Sequence, residues 1–260
     1  MSAGPASSHG AQARAANGGG VGAELSNKAA GATGRNAAVA RADFATIASW
    51  LAPGAQVLDL GCGDGSLLAY LKQAKAVRGY GIEIADEGVL ASLANGINVL
   101  QSDLESGLAG FADASFDCVI LSQTLQAMRH AEEIVTEMLR VGSEVIVTFP
   151  NFGHWSHRLQ ILRGRMPVSQ SLPYQWFDTP NIHLCTVADF DAFLAERRYF
   201  VANRVVLSRG SPIRALPNLL GDLAVYRFRK SQHDGTRRPP NYAPAEDENP
   251  RDRPAATIGR

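Results

Sequence analysis

Apolar positions between residues 41 and 230 switch repeatedly between helical and strand spacing. Phe44, Ile47, Ala48 and Leu51 recur at the interval of a helix, and Pro53-Gly54 ends it. An apolar strand is predicted at 55–60, followed after Gly65 by a helix carrying Leu67, Leu68 and Leu71. The pattern continues with a strand at 77–83, a helix over 86–94, a short strand at Ile97-Asn98-Val99-Leu100 and a strong strand at 116–121. A helix over 130–140 presents Ile134, Val135, Met138 and Leu139 on one side, before a strand at 143–149. Strand-helix alternation with apolar strands implies a largely parallel sheet covered on both faces. The alternation then lapses. Residues 150–182 hold His154, Trp155, His157, Tyr174, Trp176 and Phe177, too long and too aromatic for a plain connector. A helix over 187–198 and strands at 200–207 and 222–229 close the pattern, the last two reading as an antiparallel pair.

Composition divides the chain into a domain and two flanks. Residues 1–40 are mostly Ala, Gly, Ser and Asn, which bury too little apolar surface to offset the entropy of ordering, so a disordered extension is expected there. A Pro-rich, mixed-charge stretch makes 231–260 a second expected disordered tail. The domain is placed at 41–230. A 260-residue chain with 45% hydrophobic residues has ample material for one core. The formal net charge is zero, which argues against a nucleic-acid partner or an anionic membrane surface. Cys62, Cys118 and Cys185 are too far apart for a zinc or disulfide framework. Without an apolar run near ~20 residues, or a secretory h-region, the expected location is cytoplasmic.

Candidate chemistry gathers where strands end. Residues 57–68 read VLDLGCGDGSLL, and glycines at Gly61, Gly63 and Gly65 allow the backbone to turn closely against a ligand. A dinucleotide fingerprint would need glycine where Ser66 stands, and the Asp59 carboxylate ahead of the glycines would repel a pyrophosphate. It suits a ligand with positive charge or hydroxyl donors. The stretch resembles motif I of the class I S-adenosylmethionine (SAM) methyltransferases. Glu83, ending the second strand, has the two acceptor oxygens a ribose diol needs. Asp103 and Leu104 follow the third strand, where the SAM-fold resemblance implies contacts to the adenine amino group and ring face, and an Asp-initiated turn is the competing reading. Ser122, Gln123 and Thr124 follow the fourth and would face the sulfonium and amino-acid end, although Ser and Thr there would also suit a cap. Methyl transfer rests mainly on alignment of nucleophile and methyl carbon, so it leaves no obligatory base to find. No catalytic residue is assigned; His154, His157 and His183 are candidates, each with an ordinary loop role as the alternative.

A narrower resemblance is carried by Leu58-Asp59-Leu60-Gly61-Cys62-Gly63-Asp64-Gly65, Gly81-Ile82-Glu83, Gln101-Ser102-Asp103-Leu104, Ser122-Gln123-Thr124-Leu125-Gln126, Phe149-Pro150-Asn151-Phe152-Gly153-His154-Trp155 and Asp178-Thr179-Pro180-Asn181-Ile182-His183-Leu184-Cys185. Across about residues 41–208 the chain resembles the methionine biosynthesis protein MetW family. That resemblance implies a class I SAM methyltransferase (Rossmann-like) fold, with a mostly parallel seven-stranded sheet and helices on both faces. It also implies SAM as cofactor and homoserine O-acyltransferase (MetX) as partner, the chain acting as an accessory subunit; an active small-molecule methyltransferase is the alternative. Aromatic and Arg residues in 150–182 fit a partner surface or a lid over the cofactor pocket.

Overall fold

The computed structural model describes residues 43–231. The expected extension at 1–40 and, apart from Ser231, the expected tail at 231–260 lie outside the described residues. The elements in chain order are α1 (43–50), β1 (Gln56–Leu60), α2 (Ser66–Lys75), β2 (Arg78–Glu83), α3 (Asp86–Ala94), β3 (Val99–Gln101), β4 (Phe116–Ser122), α4 (Ala131–Val141), β5 (Gly142–Pro150), α5 (Trp155–Leu162), α6 (Val187–Glu196), β6 (Tyr199–Ser208), β7 (Ser211–Ile213), α7 (Pro217–Leu220) and β8 (Leu223–Lys230). They form one sheet in the order β3-β2-β1-β4-β5-β8-β6-β7.

The first five strands are parallel, as their apolar runs imply, and β8 pairs antiparallel with both β5 and β6. Strand alternation sorts the core into two layers. Leu58 and Leu60 of β1, Val119 and Leu121 of β4, and Val145 and Val147 of β5 face α4 and α6, where they meet Ile134, Met138, Phe190 and Leu194. Val57, Cys118, Ile120 and Ile146 face the other way, toward Ile47 of α1, Leu51 just after it, and Leu67, Leu68 and Leu71 of α2. Side chains of this size gain roughly 1.5–3 kcal/mol each from full burial.

The sheet is longer than the sequence pattern implies. An eighth strand, β7, is added at the edge by a two-residue hairpin in which Arg209 and Gly210 both have positive φ, 50° and 81°. These are the torsions of a type I′ turn, normally signalled by Asn-Gly. The third strand also shifts. Ile97 donates its N–H to Ser92 O at 3.0 Å and buries its side chain beside α2, so pairing begins only at Val99.

Residues 150–182 contain a helix, α5, that apolar periodicity does not reveal because its polarity is inverted. Its buried residue is His157, while Leu162 is 83% exposed. His157 is held by Ser169 Oγ at 2.8 Å and Phe152 O at 3.3 Å, and Asn151 ties the start of the segment to α6 and to the residues before β8.

Candidate functional site

The β1–α2 turn is built from three left-handed glycines, with φ of 66° at Gly61, 56° at Gly63 and 73° at Gly65. A Cβ at Gly61 would stand 2.8 Å from Thr124 Oγ1, and one at Gly65 the same distance from Ser92 Oγ, so both glycines permit close packing. Gly63 differs: a Cβ there would meet nothing within 4 Å. It is the point at which a ligand can approach backbone. Gly61 and Cys62 donate their N–H groups to Ile82 O at 2.8 and 3.0 Å, tying the turn to β2. Glu83 then closes over it. Its Oε2 accepts from Gly63 N at 2.8 Å and its Oε1 from Ile84 N and Ala85 N, both at 2.9 Å. Two carboxylate oxygens offer about four acceptor sites, and with three N–H groups bound about one remains for a ribose hydroxyl. A Cβ at Gly88 would sit 2.8 Å from Glu83 Cγ, and the bare glycine lets α3 approach.

Asp59 projects on the α1 face of the sheet and is 2% exposed. In register beyond it, Ser122 of β4 lies beside Thr148 of β5 on that face, their hydroxyls 3.1 Å apart. The apolar rows of this layer therefore end in polar groups at the carboxyl ends of the strands. Asp43 enters from α1, fully buried; Ser122 Oγ donates to its Oδ2 at 3.5 Å. The Oδ1 atoms of Asp43 and Asp59 are both buried without a hydrogen-bond partner. Burial pushes the Asp59 carboxyl up to about 8, with the charges of Glu83 and Asp43 adding to it. Asp43 is raised to about 7 by burial, against the opposing hydrogen bonds of Gln123 and Ser122.

A carboxyl with a raised native pKa binds its proton more tightly folded than unfolded. Its stabilisation is complete below the unfolded value of 3.8 and is lost as pH rises through about 7 to 8. The ligand-free protein is therefore expected to melt at progressively lower temperature between about pH 5 and about pH 8.5. Asp59→Asn should remove much of that slope. Thermal denaturation across this pH range provides the check, and an unchanged slope in the variant would refute the assignment.

The other expected residues fall at the same edge. Asp103 is exposed, and its Oδ1 accepts from Glu105 N at 2.9 Å, capping a single 3-10 turn at Leu104–Ser106; its other oxygen is available to a ligand. Leu104 packs half-buried against the core. Gln123 takes a left-handed φ of 52° while its N–H is shared by Thr148 O and Oγ1, both at 3.0 Å. The histidines do not converge with these groups. His154 accepts from Ser156 N at the start of α5, His157 is a core residue, and His183 lies 3.3 Å from Arg129 O. His183 and Cys185 instead border an apolar cavity of about 140 Å³ beside Leu125, Val135, Phe149 and Phe190. Burial pushes the Cys185 thiol up to about 12, far from a thiolate nucleophile.

Sequence reasoning named Ser122 and Gln123 but missed Asp43 and Thr148 as their partners in one polar network. Asp43 reads only as an acid ahead of an apolar helix stripe, and Thr148 as one polar residue in a buried strand. A threonine at that point in an otherwise apolar run was the available signal.

Strand order, glycine turn and the acid ending β2 define the class I SAM methyltransferase fold. Solved structures agree: a SAM-dependent methyltransferase of Thermotoga maritima matches with a TM-score of 0.58 at 16% identity, covering 80% of this chain and 99% of that one. A TehB-like SAM-dependent methyltransferase of Corynebacterium glutamicum gives 0.53 at 17%, with 80% and 99% covered. Such identities establish fold alone. The chain belongs to the family described as methionine biosynthesis protein MetW, whose profile matches residues 41–228. It is 36% identical over 202 residues to the bifunctional methionine biosynthesis protein MetXA/MetW of Rhodopirellula baltica, covering 72% of this chain and 32% of that relative. The chain thus spans about a third of the relative's length.

Proposed function

We propose that this chain binds SAM or S-adenosylhomocysteine at the carboxyl ends of β1 to β4 and serves as an accessory subunit of homoserine O-acyltransferase (MetX) in methionine biosynthesis. The cofactor part rests on fit. SAM carries a sulfonium and an ammonium, and the turn offers buried acceptors at Asp59 and Asp43 and an open backbone approach at Gly63. Glu83 would take a ribose hydroxyl, Asp103 and Leu104 the adenine, and Ser122 would stand near the amino-acid end. SAM bound there would supply an activated methyl group.

The observation that carries the partner reading is the surface of residues 155–177. Trp176 and Phe177 are 73% and 70% exposed and pack edge to face on each other, with Trp155 and Leu162 also exposed. A lid would bury its aromatics over the pocket to exclude water; these point outward, as interface anchors do. The relative in which a MetXA portion accompanies the MetW portion supports the same pairing. Co-expressed MetX is expected to co-purify with this chain and to lose acyltransferase activity in its absence; equal activity with and without it refutes the proposal. Trp176→Ala combined with Phe177→Ala should weaken the complex at least tenfold, measured by sedimentation, while leaving the melting temperature of the free chain unchanged.

An active small-molecule methyltransferase is the second reading. It is favoured by the apolar cavity of about 140 Å³ beside Leu125, which follows β4, and Phe149, near the end of β5. Transfer of labelled methyl from SAM to small-molecule acceptors distinguishes it.

A further inference from the structure

Three acids surround the proposed pocket, and their settings differ. Glu83 is satisfied by three backbone N–H groups. Asp59 and Asp43 are not: each is buried, and each has an Oδ1 with no partner. Neither forms a salt bridge among the described residues. Cys62, the other titratable group close by, is held as a neutral thiol because burial pushes it up to about 11. Two buried carboxyls without a cation are costly, and the network of Ser122, Gln123 and Thr148 supplies only neutral dipoles.

Counting charges on the ligands gives this pair a use. SAM and S-adenosylhomocysteine share the same ammonium and carboxylate and differ by one methyl and the positive charge on sulfur. With its own carboxylate counted, SAM carries one net positive charge and S-adenosylhomocysteine none; locally, the ammonium that both possess can face one buried carboxylate. A second carboxylate is balanced only by the sulfonium. We infer that Asp43, delivered by the helix that precedes the glycine turn, is a specificity-determining residue, and that the Asp43–Asp59 pair makes the pocket select the sulfonium over the neutral thioether. This rests on the cofactor reading above. It assigns the protein the ability to distinguish the methyl donor from its spent form, a property that a sensor of methyl-donor supply requires.

Binding of the cation draws both carboxyls into their ionised form. SAM binding near pH 7 should therefore release more protons than binding of S-adenosylhomocysteine. Calorimetric titration of the full chain with each ligand, in two buffers of different ionisation enthalpy, reads affinity and proton release together. The wild type is expected to bind SAM at least tenfold more tightly, with a preference that widens from about pH 6 to about pH 8.5. Asp43→Asn, which preserves shape, should weaken SAM at least tenfold and S-adenosylhomocysteine by less than threefold, and should abolish the difference in proton release. The wild-type pH series needs no variant and guards against a folding defect. A wild-type preference below tenfold, a preference flat with pH, or equal weakening of both ligands by Asp43→Asn overturns the inference while leaving the cofactor pocket standing. Absence of binding of either ligand by the wild type overturns the cofactor reading itself, and the inference with it.

Discussion

Glu83→Ala is expected to weaken SAM binding by about ten- to a hundredfold while leaving the protein folded. In the ligand-free state the carboxylate already accepts from Gly63 N at 2.8 Å and from Ile84 N and Ala85 N at 2.9 Å, so it shapes the turn and has about one acceptor site left for a ribose hydroxyl. One hydrogen bond to a charged acceptor contributes roughly 1.5–3 kcal/mol, which corresponds to about ten- to a hundredfold in affinity. The abandoned N–H groups lie near solvent and can take water, which limits the stability loss to about 1–2 kcal/mol. Glu83→Gln is no rescue. Both oxygens accept, so either placement of the amide NH₂ sets a donor against a backbone donor. Calorimetry with a parallel thermal melt tests the claim; undiminished affinity in a folded Glu83→Ala protein would remove Glu83 from the site.

Asn151→Ala should cost about 3–5 kcal/mol of stability, a large share of what a domain of this size has. The side chain is fully buried and uses four hydrogen bonds: Nδ2 donates to Asn218 O at 3.1 Å and Gly221 O at 2.8 Å, and Oδ1 accepts from Gly153 N at 3.0 Å and Val187 N at 3.2 Å. Four backbone groups lose their partner at once. Asn151→Asp is a demanding companion because it keeps the shape, yet sets a carboxylate oxygen against two carbonyls in a buried place. It should be no better than alanine. Urea denaturation gives both values, and a loss below about 1 kcal/mol in either variant would mean that water or rearrangement replaces the network. Because Asn151 anchors the start of the 150–182 segment, these variants should also impair the proposed MetX complex, but together with a loss of stability that changes at exposed Trp176 do not cause.

Much of the fold was legible because burial and strand period coincide. β1, β2, β4 and β5 lie within a residue or two of their expected bounds, and the stripe of Ile134, Val135, Met138 and Leu139 is the buried side of α4. The glycine turn was legible because few sequences need three left-handed residues so close together. The inverted polarity of α5 and the Arg209-Gly210 hairpin were not: in the first the buried residue is a histidine, in the second a non-glycine residue occupies the left-handed region at φ 50°.

Local chemistry along the chain determined β1, β2, β4 and β5, the Gly61–Gly65 turn, and Asp59 and Glu83 as acids at strand ends, because periodicity and backbone torsion are properties of neighbours in sequence. It could not say that Asp43 meets the hydroxyl of Ser122, 79 positions later, that Asn151 spans β5, α6 and the residues before β8, or that Trp176 faces outward. Those facts depend on which side of the sheet each helix covers and what the packed chain leaves unpaired. A buried carboxyl without a partner acquires its raised pKa, and its proposed preference for a cation, only once tertiary packing has removed the water around it.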